Sequence, residues 1–266
     1  MKSIFTKAAL VAATTLCLPG LAGADVNAPL ADKIPSDALL YVGWSGAEQA
    51  RALGEGSHAM ALLDESNLPT VFNETLPTAL RTLSENVRGN NDELANFAQI
   101  AADLYPMIAK YPTAVAFGGI TDEWAMAPGE VVPKLLFVCQ AGPDAEVLRG
   151  KLTALFQQFD QVFLVTLLEV QDDTLYLNLA WPRLDVVAAG EAGEGALQNS
   201  VRFQEAFDGL AENPMKAWFV DVPGMIDEVV QTMEREENFS EAEQMREFLD
   251  LSGLGGIGNI AATASF

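Results

Sequence analysis

The apolar stretches of this chain are short, and after the first two dozen residues the longest of them have the length of a β-strand. The stretch VFLVTLLEV at 162–170 is typical, because a membrane-spanning helix needs about 20 such residues. Comparable stretches predict strands at 38–44, 113–120, 133–141, 174–181, 183–190, 215–222 and 257–266. In the middle of the chain, from 113 to 190, five strands are predicted with one helix among them. This order favours an α+β fold, a mainly antiparallel sheet with helices packed on it, over a doubly wound sheet.

The residues between the first two predicted strands have helical character. We predict that 45–111 forms a helical insertion that caps the sheet, with its clearest helix at 92–111, where apolar residues recur at helical spacing. Pro77 is expected to interrupt an earlier helix, because proline has no backbone N–H to donate. Further helices are predicted at 143–159, 201–211, 223–237 and 240–251.

Residues 1–24 have the three parts of a secretory signal peptide. Lys2 and Lys7 precede an apolar run, and a small-x-small tripeptide ends at Ala24. We expect cleavage before Asp25 and export to the periplasm or the cell exterior, leaving 25–266 as a single domain with no transmembrane segment. The alternative is a retained N-terminal anchor, for which the apolar run is short.

The chain is strongly acidic, with 37 Asp and Glu against 15 Lys and Arg and a formal net charge of −22. Such a chain repels phosphate backbones, and no basic stripe with interleaved aromatic residues is visible. We therefore expect no nucleic-acid partner. The acidic residues are spread along the whole chain, which favours a role in solubility over a dedicated cation-binding surface.

The cysteine content excludes disulfides in the exported protein. Of two cysteines, Cys17 leaves with the predicted leader, and Cys139 remains alone inside an apolar stretch. A lone cysteine in such a stretch is typical of a small buried hydrophobic residue. With one cysteine and one histidine, we predict no transition-metal site and no cofactor.

The stretch GWSGA at 43–47 resembles the nucleophile elbow of hydrolases, whose pattern is G-x-S-x-G. Ala47 stands where the second glycine belongs. The single histidine, His58, follows Ser45 closely, whereas in that hydrolase order the histidine comes last. We interpret Ser45 as a turn residue and His58 as a residue on a helix or loop surface, and we predict no catalytic residues.

The stretch GLGGIG at 253–258 matches a dinucleotide-binding fingerprint letter for letter. That site requires a strand before the glycines and a helix after them, whereas here a helix is predicted before them and a strand after. We interpret the glycines as a helix-to-strand turn. The acidic stretch at 234–248 lacks the alternation of a calcium loop and is interpreted as a solvated helical surface, and Asp172-Asp173 and Asp122-Glu123 as turns.

Two segments echo each other weakly. IPSDALLYVGWSGAEQA at 34–50 and NPMKAWFVDVPGMIDEV at 213–229 share a proline, an aromatic-rich strand, a short glycine-bearing turn and a following acidic residue. The echo indicates two related α/β units rather than a repeat array.

Three stretches resemble a family of secreted bacterial proteins catalogued only as a domain of unknown function: 34–46, 196–229 and 251–266. The matching positions are Pro35, Asp37, Tyr41, Leu197, Ser200, Phe203, Val220, Asp221, Leu251, Gly253 and Leu254. The resemblance implies export and an α+β fold, and it supplies no reaction and no catalytic residues. Because such families often have longer chains, we expect this sequence to be the N-terminal part of a longer product.

The function predicted from these observations is a non-enzymatic binding or scaffolding role outside the cytoplasm. Two alternatives stay open. One is a carrier that holds an apolar ligand between the helical insertion and the sheet, in a cavity of several hundred Å3. The other is a hydrolase that uses only carboxylates, which would require two acids facing each other across a groove.

Overall fold

The fold is described from a computed structural model. It describes residues 27–66, 70, 74–90, 92–122, 131–156, 167–182, 185–186, 195–235, 239–253 and 256–265. The predicted signal peptide lies outside these ranges, as does the first half of the predicted strand at 162–170.

A seven-stranded antiparallel sheet forms the centre of the described chain, in the order β4-β5-β3-β2-β1-β6-β7. The strands are β1 Leu40–Trp44, β2 Thr113–Thr121, β3 Val132–Cys139, β4 Leu167–Gln171, β5 Thr174–Leu179, β6 Lys216–Val220 and β7 Ile260–Ala264. Every neighbouring pair is antiparallel, so the predicted α+β class is confirmed.

Helices connect the strands and pack on the sheet. They are α1 Ala47–Leu53, α2 His58–Glu65, α3 Leu76–Val87, α4 Asp92–Lys110, α5 Ala145–Phe156, α6 Val201–Phe207, α7 Val222–Arg235 and α8 Phe239–Ser252. The helices α1 to α4 lie between β1 and β2, where the helical insertion at 45–111 was predicted. None of the helices in the described ranges is long and apolar enough to cross a membrane.

Pro77 stands in the first turn of α3, and residues 74–75 directly before α3 are π-helical, so the helix changes its geometry next to this proline. A different local prediction was wrong. In the predicted strand at 183–190, Asp185 and Val186 are helical instead, because each N–H bonds the carbonyl of Pro182 and so closes a tight turn. The other residues of that stretch lie outside the described ranges.

The predicted hairpin turn at Asp172-Asp173 is confirmed, since it joins β4 directly to β5. Both aspartates have left-handed backbone angles, with φ of 48° and 61°. Two successive residues of this conformation match the right-handed twist of the flanking strands, and aspartate tolerates it better than most residues do.

Two apolar clusters lie on opposite faces of the sheet, because successive strand residues point to opposite sides. On one face Phe203 of α6 packs against Phe207 and Phe219, with ring centroids 4.3 and 5.2 Å apart, and against Tyr41 at 5.9 Å. On the other face, α5 contributes Leu148 to a cluster that includes the end of β3.

Arg202 connects α6 to the two central strands. Its guanidinium donates to the carboxylate of Asp221, which follows β6, and to the backbone carbonyls of Ser36 and Ala38, which precede β1. The bond to Ala38 O is 2.7 Å long. The second carboxylate oxygen of Asp221 accepts from Gly224 N at 2.9 Å, so that the carboxylate also caps the first turn of α7.

We expect the substitution Arg202→Met to lower the free energy of unfolding by about 2–3 kcal/mol, because it leaves a largely buried carboxylate and two carbonyl groups without their donor. Urea unfolding followed by circular dichroism measures this change. The matched control is Arg149→Met, which removes an exposed ion pair to Glu146 and should cost no more than about 0.5 kcal/mol. Equal effects of the two substitutions would contradict the role of Arg202.

Candidate functional site

Ser45 lies where β1 ends and α1 has not yet begun. Its side chain is 1% exposed, and its backbone N–H donates to Met215 O at 2.9 Å. Its Oγ has no hydrogen-bond partner among the described residues. The chain does pass from strand to helix here, as in a nucleophile elbow, but the left-handed residue is Gly46, with φ of 84°. Glycine is required there, since a Cβ would lie 2.7 Å from the backbone of Tyr111.

His58 is the first residue of α2 and is exposed to solvent. Because the Ser45 hydroxyl has no partner, His58 does not bond it, and the described residues place no base on this serine. The interpretation of Ser45 as a turn residue at the end of a strand and of His58 as a surface residue is confirmed.

We predict that Ser45→Ala raises the free energy of unfolding by about 1 kcal/mol, because a buried hydroxyl without a partner carries a desolvation cost that alanine avoids. Thermal or urea denaturation measures this effect. The control is Ser200→Ala, since the Ser200 side chain caps α6 by accepting from Phe203 N, and this loss should cost about 1 kcal/mol. A destabilised Ser45→Ala protein would show that this hydroxyl has a partner.

Cys139 ends β3 and is fully buried, as the sequence predicted. Its Sγ lies 3.6 Å from Thr113 Oγ1, which donates to it. Burial raises the pKa of the Cys139 thiol above its usual value, and the Thr113 hydroxyl opposes this rise only in part. The thiol therefore stays protonated at neutral pH and lacks the nucleophilic thiolate form.

We expect Cys139 in the folded protein to react with a chromogenic disulfide reagent at least about a hundredfold more slowly than in urea, because reaction requires both access and ionisation. Raising the pH toward the usual thiol pKa should increase the labelling rate of Cys139 less in the folded protein than in the unfolded one. The reason is that the pKa of this thiol is higher in the folded state. Fast labelling of the folded protein at neutral pH would contradict this assignment.

The glycine-rich stretch at 253–258 connects a helix to a strand, as predicted. The helix α8 ends at Ser252, Gly253 follows with φ of 72°, and β7 begins at Ile260. Since no helix begins after these glycines in the described part of the chain, they do not present the helix N-terminus that a pyrophosphate would need.

The ionisable side chains that face each other near the start of β1 are paired with opposite charges. Asp37 accepts from Trp181 Nε1 at 3.1 Å and from Lys134 Nζ at 3.3 Å. On the far side of β1, Arg202 and Asp221 form the pair described above. These contacts connect neighbouring elements of the fold, and each carboxylate forms an ion pair with a different basic side chain.

A similar arrangement ties α7 to β2. Glu228 accepts from the backbone N–H of Ile120 at 3.0 Å, and Arg235 lies 3.4 Å from both the Glu228 carboxylate and the Ile120 carbonyl. Within the described ranges, no group of three or more His, Cys, Asp or Glu side chains is arranged to hold a metal ion.

An open depression of about 520 Å3 lies between the end of α1 and the start of α2. Arg51, Glu55 and Met60 contribute to its lining, so both charged and apolar groups face it. It lies within the helical insertion rather than between that insertion and the sheet, where an apolar carrier was expected to hold its ligand.

Large exposed apolar side chains lie in α8 and in the residues that lead from it into β7. Leu251 is 81% and Phe248 57% exposed, and Ile257 and Ile260 follow at 38% and 42%. Val201, at the start of α6, is 68% exposed and lies beside Arg202, whose carbonyl accepts from the Asn259 side chain. The exposure of these five side chains was not predicted from the sequence. Residues scattered along a helix and a turn give no periodic signal that separates exposed from buried positions.

Comparisons of the chain with models of protein families, with curated proteins and with solved structures found no match. The resemblance to a family of secreted bacterial proteins therefore stays a prediction.

Proposed function

We propose that this protein is exported and has a non-enzymatic binding or scaffolding role in the periplasm or outside the cell. One observation carries the proposal: the polar side chains that meet in the described fold bond each other in structural pairs, whereas large apolar side chains stand in solvent. Arg202, Asp221 and Glu228 stabilise junctions between elements, and Leu251 and Phe248 are exposed. Binding surfaces use exposed apolar side chains, whereas catalysis uses converging ionisable groups.

The exported location rests on the sequence of residues 1–24. Their positive start, apolar run and small-x-small end fit a cleavable leader, and the remaining chain is strongly acidic. The resemblance to secreted bacterial proteins supports the same location.

We expect the chain expressed with its own N-terminus in a bacterium to appear in the periplasmic or culture fraction with Asp25 as its first residue. N-terminal sequencing of the purified protein measures this directly. A chain that begins at Met1 and stays with the membranes would contradict export and favour a retained anchor.

The non-enzymatic role is tested with a panel of ester, amide, phosphate and glycoside substrates. We expect no turnover above that of the buffer, because the described fold presents no activated nucleophile. Turnover that is lost in Ser45→Ala or His58→Ala would contradict the proposal, and turnover lost only when paired acids are replaced would favour the carboxylate-based hydrolase. A lipid that co-purifies in native mass spectrometry would favour the apolar-ligand carrier.

A further inference from the structure

The two segments that echo each other in sequence are neighbours at the centre of the sheet. The strand β1 leads through α1–α4 to β2, which pairs with β1, and β6 leads through α7 and α8 to β7, which pairs with β6. In both units a strand is followed by helices and then by an antiparallel neighbour. The order β2-β1-β6-β7 therefore places the two units back to back.

The hydrogen bonds between the two units follow a two-fold axis. Ser45 N donates to Met215 O at 2.9 Å, and Asp221 N donates to Leu39 O at 2.8 Å. A half-turn about the point between Val42 and Trp218, which face each other, exchanges these two bonds. Leu39 thus corresponds to Met215, and Ser45 corresponds to Asp221.

The same correspondence extends to the outer strand of each unit. Leu39 N donates to Phe117 O at 2.7 Å, and Met215 N donates to Ala264 O at 2.8 Å. Both bonds stand one position out of the regular register of their strand pairs. Because such an irregularity recurs at equivalent positions, β7 corresponds residue by residue to the 113–117 part of β2.

The strand β2 has a partner on its outer side, and β7 has none within the described ranges. The 113–117 part of β2 pairs with 135–139 of β3. The ladder continues at Pro112, whose carbonyl accepts from Gln140 N at 2.9 Å. Alternate residues of a strand bond opposite sides, so Ala114 and Ala116 face β3. Their counterparts Ala261 and Thr263 point their backbone groups away from β6, to the end of the sheet.

The outer edge of β7 lacks charged residues and proline, two of the features that usually block strand addition. Residues 251–265 contain no ionisable side chain and no proline, although 20% of the whole chain is charged. At the opposite end of the sheet, β4 carries Glu169. Ile260 of β7 is 42% exposed, so an apolar side chain is exposed on this strand.

We propose that the outer edge of β7 binds a partner's extended, uncharged segment as an antiparallel strand, with large apolar side chains as in 135–139 of β3. The main-chain groups of Ala261 and Thr263 would supply the ladder, and the exposed side chain of Ile260 on the same strand would contact the added side chains. The proposal rests on the proposed binding role and names its site and its partner chemistry.

A second copy of this chain fits the edge less well. Pairing β7 with the β7 of a second copy would join two strands that both correspond to β2. In this sheet, however, the outer side of β2 pairs with β3 and not with another strand that corresponds to β2. Two copies would also each bring a formal charge of −22.

The probe is a synthetic peptide with the sequence of 134–140, with Lys134→Ser and Cys139→Ser and an uncharged solubilising tail. We expect saturable binding to the full chain by fluorescence anisotropy. Amide hydrogen exchange should slow at Ala261 and Thr263, because these N–H groups become ladder donors. A peptide of the same composition in scrambled order is the control for adhesion to apolar side chains.

The decisive variant is Thr263→Pro, which removes an outward N–H and leaves the bonds of Ala262 and Ala264 to β6 in place. We expect it to weaken peptide binding at least about tenfold, the effect of losing one ladder bond. The matched control Thr263→Val keeps the N–H and should bind like the parent. Ala261→Pro tests the other outward N–H. It replaces Thr263→Pro as the decisive variant if Thr263→Pro lowers the melting temperature.

Three results would overturn the proposal: no saturable binding, binding of the scrambled peptide as tight as that of the probe, or proline variants that both bind the probe as tightly as the parent does. Concentration-dependent dimers in native mass spectrometry, abolished by Thr263→Pro, would assign the edge to a second copy instead. If the peptide fails while another ligand co-purifies with the exported protein, the edge proposal fails and the proposed binding role stands.

Discussion

The antiparallel pairing of β1 with β6 is the contact on which the rest of this structure depends. These strands are far apart in sequence, yet they lie side by side at the centre of the sheet and join its two units. Their register places Tyr41 beside Phe219, and Phe203 packs against both rings. A change of register by one residue would turn one of these two aromatic side chains to the opposite face of the sheet, so one apolar cluster specifies the central pairing.

Arg202 shows how the fold uses its charges. Removing a guanidinium from water is costly, and here the cost is offset by a carboxylate and two carbonyl groups that converge on it. The same side chain thereby connects α6 to the loop before β1 and to the end of β6. Asp37 and Glu228 act in a similar way at neighbouring junctions, which explains why the acidic residues of this chain need not signal chemistry.

Local patterns predicted much of the fold because they report local physics. The turn at Asp172-Asp173 was predictable because two residues that tolerate left-handed angles lie between two apolar stretches. The helix-to-strand connection at 253–258 was predictable because its glycines lie between a helical and a strand-like sequence pattern. Pro77 marks a local change of helix geometry, because a proline is compatible with the first turn of an α-helix and not with its interior. The burial of the Ser45 hydroxyl, in contrast, had no signal in the sequence.

The sequence by itself determined the class of the fold, the positions of most strands and helices, the burial of Cys139 and the incomplete match of GWSGA to a nucleophile elbow. These depend on residue type and on spacing along the chain. Only the tertiary structure decided the order of the strands, the partners of Arg202, the two-fold relation between the units and the exposed edge of β7. Each of these depends on contacts between residues distant in sequence, whose energies no local pattern contains.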